Sequence, residues 1–560
     1  MSSTTSPSAT RPPTTKGRWP AGIPYIIGNE AAERFSFYGM KAILFVYLSS
    51  LFTHFQQLAE SDPARIAAES RATHDVHLFV AGVYAFPMLG ALIADRLFGK
   101  YNVIMWLSLV YCAGHLVLAI ASPIGSIELF YLGLALIAIG SGGIKPCVSA
   151  NVGDQFTKEN QDLVSKVYQV FYFSINFGSF FSTLLTPVLY TAYGPDVAFG
   201  VPGILMAIAT FMFWLGRRKF HRVPAKPGGT LGLIDVVAST MLFTPIAMFL
   251  FFEDWHWALR IGVSVAGVAV WYAMFTMRQR IREDGGFFGV LIYALRHQKE
   301  RKPGQGFFDV ARPKFGDDAE GPMAVIKIAV VFSMVSIFWA LFDQHASSWV
   351  NQATRMYLPE LPSWVPFVGG TQVQAAQISA LNPVMVMAII PFLNVAVYPV
   401  LKKFGIDPSP LRRMTIGMFM AAVAFVTVAL LQRSIDAAEP GSVNVFWQIV
   451  PYLIMTTAEV LVSVTGLEFA YTQAPKAMKS TIMGFWLLTV SFGNKLVAVL
   501  AGLEDMPLEQ FFWIFAVLMG IAAVIFAVLA HFYKGKTYLQ DDEPAPESQH
   551  TITEGTAAGA

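Results

Sequence analysis

Residues 23–50 read IPYIIGNEAAERFSFYGMKAILFVYLSS. The stretch is long and apolar enough to cross a bilayer as a helix, which takes about 20 residues, yet it holds Glu30, Glu33, Arg34 and Lys41. A charged side chain at mid-bilayer costs roughly 2.5–3.5 kcal/mol even on a lenient scale. Spacings of three, four and eleven residues from Glu30 put the four on one stripe of a helix, beside Phe37 and Tyr38. The stripe rises about 16 Å, roughly half the hydrocarbon thickness. Such a stripe shuns lipid and faces a water-filled cavity, so further spans must enclose it.

The rest of the chain supplies them. Of its 560 residues, 55% are hydrophobic and 14% charged, against about 25% charged in an ordinary globular domain. Mean hydropathy is +0.52. Too little polar surface remains to coat a soluble core of this size. The net charge of +2 shows no excess for nucleic acid, and two cysteines, Cys112 and Cys147, exclude a disulfide scaffold.

Fourteen apolar stretches are expected as spans: 23–50, 77–97, 102–122, 128–150, 166–190, 198–216, 231–252, 258–277, 323–346, 376–400, 413–432, 446–470, 480–502 and 510–533. Alternate loops then hold about 29 of the 39 Lys and Arg, while the others hold Arg65, Arg71, Arg260, Arg355 and Arg433. This is the positive-inside pattern, and it puts both termini in the cytoplasm. The expected architecture is an all-α polytopic membrane protein of two six-helix bundles, 23–216 and 323–533, joined by a linker, 217–322. An inserted hairpin at about 231–277 and a basic segment occupy that linker. Residues 1–22 and 534–560 read as disordered tails, without a cleavable signal peptide. A faint echo between Pro87–Lys100 and Pro391–Phe404 hints at duplicated halves.

Other charges fall inside spans. Lys145 closes GSGGIKP, where three glycines and Pro146 are expected to loosen the helix; Asp343 lies in WALFDQH; Glu459 stands one turn before Ser463. With the first-span stripe these sum to −1, which one added proton makes neutral. His77, at the start of the second span, reads from its spacing as an interfacial anchor, with a proton sensor as the other reading. His74 and His115 have no charged company and read as packing residues. Asp95, with Arg96 and Lys100, reads as a loop clamp, and Asp235 and the EDWHW turn as interfacial anchors. Asn176, Asn382 and Asn494 fit helix–helix hydrogen bonds or ligand contacts, and Tyr47, Tyr84 and Tyr172 fit packing or solute contact. The sequence lacks a metal-spaced cluster, a phosphate-binding glycine loop and a nucleophile elbow. Active transport by such a chain must draw on an ion gradient, with the proton as coupling ion and no cofactor.

EAAERFSFY (Glu30 to Tyr38) resembles the signature of proton-coupled oligopeptide transporters, a branch of the major facilitator superfamily. GGIKPCVSANVGDQF (Gly142 to Phe156) and FYFSINFGS (Phe171 to Ser179) resemble two more, and FWALFDQ, TGLEFAYTQAP and GFWLLT extend the likeness to the second half. GALIADRLFGK resembles the superfamily's loop motif. The resemblance implies a symporter that brings in di- and tripeptides with protons by alternating access. It implies a twelve-span core of the major facilitator fold with an inserted pair, in the plasma membrane and active as a monomer.

It also assigns positions. Glu30, Glu33 and Arg34 match the proton-coupling motif, with Lys145 as its ion-pair partner and a contact for the peptide carboxylate. Lys41 matches a basic contact for the peptide C-terminus that also pairs with Asp343 as a switchable outer gate. Asn176, Asn382 and Glu459 match positions that hold the peptide's amino end, and Tyr38, Tyr84 and Trp486 positions that line the pocket. His77 matches a histidine tied to proton coupling. Phe37 departs from the pattern, since many members have Tyr there. Three other readings stay open: a carrier of nitrate or another small anion, an ion-translocating subunit of a membrane complex, and a peptide sensor that does not transport.

Overall fold

The computed structural model describes residues 18–55, 64–156, 160, 163–281, 286–365, 368–405, 409–473, 479–502 and 506–533. The expected tails therefore lie outside the described residues, except for 18–22. Among the described residues the chain is helical, and its only β contacts are two isolated bridges, Tyr357 with Asn444 and Glu360 with Gln372.

The first half consists of α1 (Ile23–Phe55), α2 (Ala64–Ile93), α3 (Lys100–Ile124), α4 (Ile127–Asp154), α5 (Val164–Tyr193) and α6 (Pro195–Leu215). A hairpin follows, α7 (Gly229–Phe251) and α8 (Trp257–Ile281), and then a short helix, α9 (Phe287–Arg296). The second half holds α10 (Gly321–Phe342), α11 (Leu381–Phe392), α12 (Pro410–Ala437), α13 (Ile449–Glu459), α14 (Lys479–Ala501) and α15 (Leu508–Phe532). Thirteen described segments are long and apolar enough to cross a membrane. The fifth expected span coincides with the 30-residue α5, which is less oily because it buries Ser174, Asn176, Ser179, Ser182, Thr183 and Thr186 within the protein. Several of these hydroxyls are satisfied by their own helix; Ser182, for example, donates to the Ser179 carbonyl at 3.0 Å.

Local chemistry sets the connections. Gly125, at φ +72°, ends α3 by donating to the Ala121 carbonyl, and the Ser126 hydroxyl caps α4. The second span of each half carries a π-turn in its last stretch, Ala94–Phe98 and Leu393–Val397, which gives the faint sequence echo a structural counterpart. The glycines before Lys145 do not loosen their helix, for α4 runs unbroken to Asp154. They let it pack closely: a Cβ on Gly142 would meet the Phe86 Cβ at 2.7 Å, and one on Gly143 would collide with Leu107.

One end of the bundle, the basic face, carries Lys100 paired with Asp154 at 2.8 Å, along with Arg217, Arg218 and Lys219. The opposite end, with the turns at 125–126 and 252–256, is the far face.

Candidate functional site

Between the halves lies a cavity of about 240 Å³ lined by Tyr38, Lys41, Tyr84, Asn176, Asp343, Asn382, Glu459 and Trp486, with Tyr172 and Trp339. Each half supplies part of the wall. Glu459 ends α13 where a π-turn, Val460–Val464, begins, a distortion often found at functional sites. The Asn382 amide donates to Glu459 at 2.7 Å and to the Thr456 hydroxyl at 3.2 Å, which builds the acidic pole. The Asn176 amide donates to the Tyr172 carbonyl of its own helix at 3.0 Å. Trp486 is buried edge-on against Phe332 and Trp339.

Toward the far face the halves are joined by a chain of hydrogen bonds. Lys41 donates to Asp343 at 2.7 Å, and both side chains are about 5% exposed. The other Asp343 oxygen accepts from the Asn494 amide at 2.8 Å. The Asn494 carbonyl faces His77 Nδ1 at 2.7 Å, and His77 Nε2 faces the Ser347 hydroxyl at 2.7 Å. An amide carbonyl only accepts, so in this arrangement the proton sits on Nδ1 and Nε2 accepts from Ser347. Two residues of the first half thus interlock with three of the second. Further across-half bonds lie on the same side. Glu69 takes Arg355 at 2.7 Å and Asn351 at 3.0 Å, and Gln377 donates to the Leu184 carbonyl at 2.7 Å.

The interfacial reading of His77 is thereby corrected. Polar residues such as Arg65 and Glu69 hid the first turns of α2 from a hydropathy reading. The helix starts at Ala64 and leaves His77 thirteen residues in and fully buried. Asn494 was visible only as a polar residue in a span, and Ser347 was missed. Asn494 and Ser347 stand 417 and 270 residues from His77 in the chain, a separation that no local pattern reveals.

The Glu30–Glu33–Arg34 cluster sits deeper in the first half and does not line the cavity. Arg34 donates to Glu30 at 2.7 Å and lies 3.3 Å from Glu33. Gly178 of α5 makes room for this turn of α1, since a Cβ there would stand 2.5 Å from the Ala31 carbonyl. Neither Glu33 oxygen has a hydrogen-bond partner within the protein, and neither does the Lys145 ammonium. Here the structure departs from expectation: Lys145 forms no ion pair with the glutamates. Its Nζ rests 3.8 Å above the Phe37 ring and 4.5 Å from the Tyr84 ring, contacts worth about 0.5–2 kcal/mol. Phe37, noted in the sequence only as a departure from pattern, is the platform on which Lys145 lies.

Other residues fall elsewhere. Tyr47 packs, donating to the Ser122 carbonyl at 3.1 Å. Lys100 pairs with Asp154, and Arg96 with Asp235 at 3.4 Å. His115 meets the Ser36 hydroxyl at 2.8 Å. His74 does have charged company, lying 2.9 Å from Asp75 and 2.6 Å from Glu253.

The comparisons with known proteins converge. A family model described as the POT family matches residues 101–514. Human solute carrier family 15 member 2 is 33% identical over 465 residues, covering 80% of this chain and 54% of that protein. Peptide transporter 3 of Caenorhabditis elegans is 32% identical, covering 75% and 51%. The chain thus spans about half the length of these curated relatives. Among solved structures, an auto-inhibited POT family peptide transporter superposes with a TM-score of 0.73 at 35% identity, covering 94% of this chain and 99% of that one. The POT family transporter PepTSo gives 0.73 at 37% identity, covering 92% and 98%. Two helical bundles with a shared central cavity, the signature residues gathered in and beside it, and these likenesses lead to one conclusion: the chain belongs to the POT family and has the major facilitator fold.

Proposed function

We propose that this protein is a secondary active symporter that couples inward proton flow to uptake of di- and tripeptides by alternating access. It sits in the plasma membrane as a monomer, needs no cofactor, and has both termini and the basic face in the cytoplasm. The observation that carries the reading is the buried Lys41–Asp343 pair between the halves, linked through Asn494 to His77. Removing one partner of a buried ion pair is strongly unfavourable unless its charge is neutralised or replaced. A proton on Asp343 would neutralise one member, and a peptide carboxylate at Lys41 would replace it. Either event alone leaves the other member's charge without its partner, so the far face opens when both occur and peptide and proton arrive as a pair.

The cavity suits a zwitterion. Lys41 in its wall and Lys145 beside it, over Phe37 and Tyr84, form a basic pole, and Glu459 with Asn382 forms an acidic one. Charge-assisted hydrogen bonds would hold the peptide's ends, with Asn176 beside the amino end, while Tyr38, Tyr84 and Trp486 tolerate what lies between. Glu30 and Glu33, held by Arg34, would take up the proton as the peptide carboxylate engages Lys145, and rocking of the halves would exchange access. The test is uptake of labelled dialanine into proteoliposomes under an inward proton gradient. Accumulation above equilibrium that an uncoupler abolishes is expected, and Glu33→Gln should lose driven uptake while keeping counterflow. Binding without accumulation would make the protein a sensor, and neither binding nor uptake would redirect attention to small anions.

A further inference from the structure

The α7–α8 hairpin lies against α2 of the first half and α14 of the second. Near the basic face it is fastened to the first half. Asp235 of α7 receives Arg278 of α8 at 2.8 Å and lies 3.4 Å from Arg96 beyond α2, and the Lys226 and Gly228 amides donate to the Asp95 and Arg96 carbonyls at 2.9 and 3.1 Å. Asp235 is thus a clamp rather than the interfacial anchor that the sequence suggests. At the far end of α7, Phe251 stacks on Phe86 of α2 at 5.8 Å, and Phe249 meets Phe492 of α14 edge-on at 5.9 Å.

At the far face the turn of the hairpin presents Glu253. One carboxylate oxygen lies 2.6 Å from His74 Nε2 on α2, and the other accepts from Lys495 of α14 at 2.5 Å. Lys495 is 3% exposed and lies within a spanning helix, where an uncompensated ammonium costs roughly 2.5–3.5 kcal/mol. Its counter-charge comes from outside both bundles. His74 has carboxylates at both ring nitrogens, Asp75 at 2.9 Å and Glu253, and Tyr131 in turn donates to Asp75 at 2.6 Å. The Glu253 carboxyl is set by opposing effects. Burial alone would raise it, but the Lys495 and His74 contacts prevail and hold it below the usual carboxylate range. The triad adjoins the gate, because His74 is one helical turn before His77 and Lys495 directly follows Asn494.

From this geometry we propose that the inserted hairpin is a third component of the far-face gate. Glu253, carried on a hairpin fastened to the first half, grips Lys495 of the second half, and the far face opens only when this pair parts. The proposal rests on the alternating-access reading above, and under it the hairpin holds the protein toward the far-closed state.

The test is the spin-label distance between His54→Cys and Ala437→Cys, at the far ends of α1 and α12, in nanodiscs with Cys112 and Cys147 replaced by Ser. The parent should show a short and a long population, with the long one favoured by low pH or saturating dialanine. Glu253→Gln should raise the long-to-short ratio about fivefold or more at neutral pH. The exchange Glu253→Lys with Lys495→Glu should return it toward the parent value, which separates a lost ion pair from general damage. An unchanged ratio in Glu253→Gln, in a parent that does interconvert, overturns the gate role of the hairpin and leaves the transport reading intact. A raised ratio that the exchange fails to lower also overturns it, since the effect would not come from the pair. A parent with a single far-face distance under every condition overturns both.

Discussion

Two charged clusters share the central region and are built oppositely. In the far-face network every polar side chain has a partner: Lys41 meets Asp343, Asp343 meets Asn494, Asn494 meets His77, and His77 meets Ser347. In the motif cluster only Glu30 and Arg34 are well matched, while Glu33 and Lys145 lack hydrogen bonds within the protein. Satisfied buried networks rigidify a structure, and leaving groups unmatched is costly. Under the proposed mechanism the difference gives the two clusters different work: the first is a lock that stays closed until Lys41 and Asp343 part, and the second keeps an acid and a base free of hydrogen bonds for a proton and a carboxylate.

Removing one member from each cluster puts this division of labour under the greatest strain. Lys41→Gln strands the buried Asp343 and should cost about 3–5 kcal/mol at neutral pH. The cost should be read as a lower unfolding temperature in detergent and should shrink in acid, where Asp343 takes a proton. Lys145→Gln should barely move that temperature yet weaken dialanine binding roughly tenfold to a hundredfold by calorimetry, the value of about 1.5–3 kcal/mol for a hydrogen bond to a charged group. Equal stability losses in the two variants would dissolve the distinction. Asn494→Ala cuts the link between Asp343 and His77 and should cost about 1–3 kcal/mol; counterflow measured against pH should then lose its dependence on His77, so that adding His77→Gln changes the profile no further. The smallest effect is expected from Phe37→Tyr, which keeps the ring beneath Lys145 and should shift dialanine affinity about threefold or less. A larger shift would mean that the missing hydroxyl, not the cation–π platform, governs that end of the cavity.

Much of this was legible in the sequence. Hydropathy located the spans, and α5 is the instructive case: it meets the length for a span while its buried Ser, Thr and Asn lower its oiliness, because one face serves the cavity. The polar stripe of α1 pointed to an internal cavity, although only Tyr38 and Lys41 of that stripe reach the cavity wall. What the sequence hid were pairings between distant segments. Periodicity reports which face of a helix is polar, not which helix it meets, so His77 looked interfacial and Glu253 looked like an anchor until their partners at 494 and 495 came into place. Lys145 misled for another reason. The family resemblance implies an ion pair with the glutamates, whereas aromatic faces take the ammonium instead.

The central claim of the proposed mechanism is that peptide and proton cross together. Liposomes containing the protein and a trapped pH-sensitive dye, with equal pH on both sides and the membrane potential clamped, offer the most direct measurement. Adding dialanine outside should acidify the lumen as labelled peptide enters, and Glu33→Gln should abolish the acidification. Peptide entry at an unchanged rate with no acidification in the unmodified protein would contradict proton coupling.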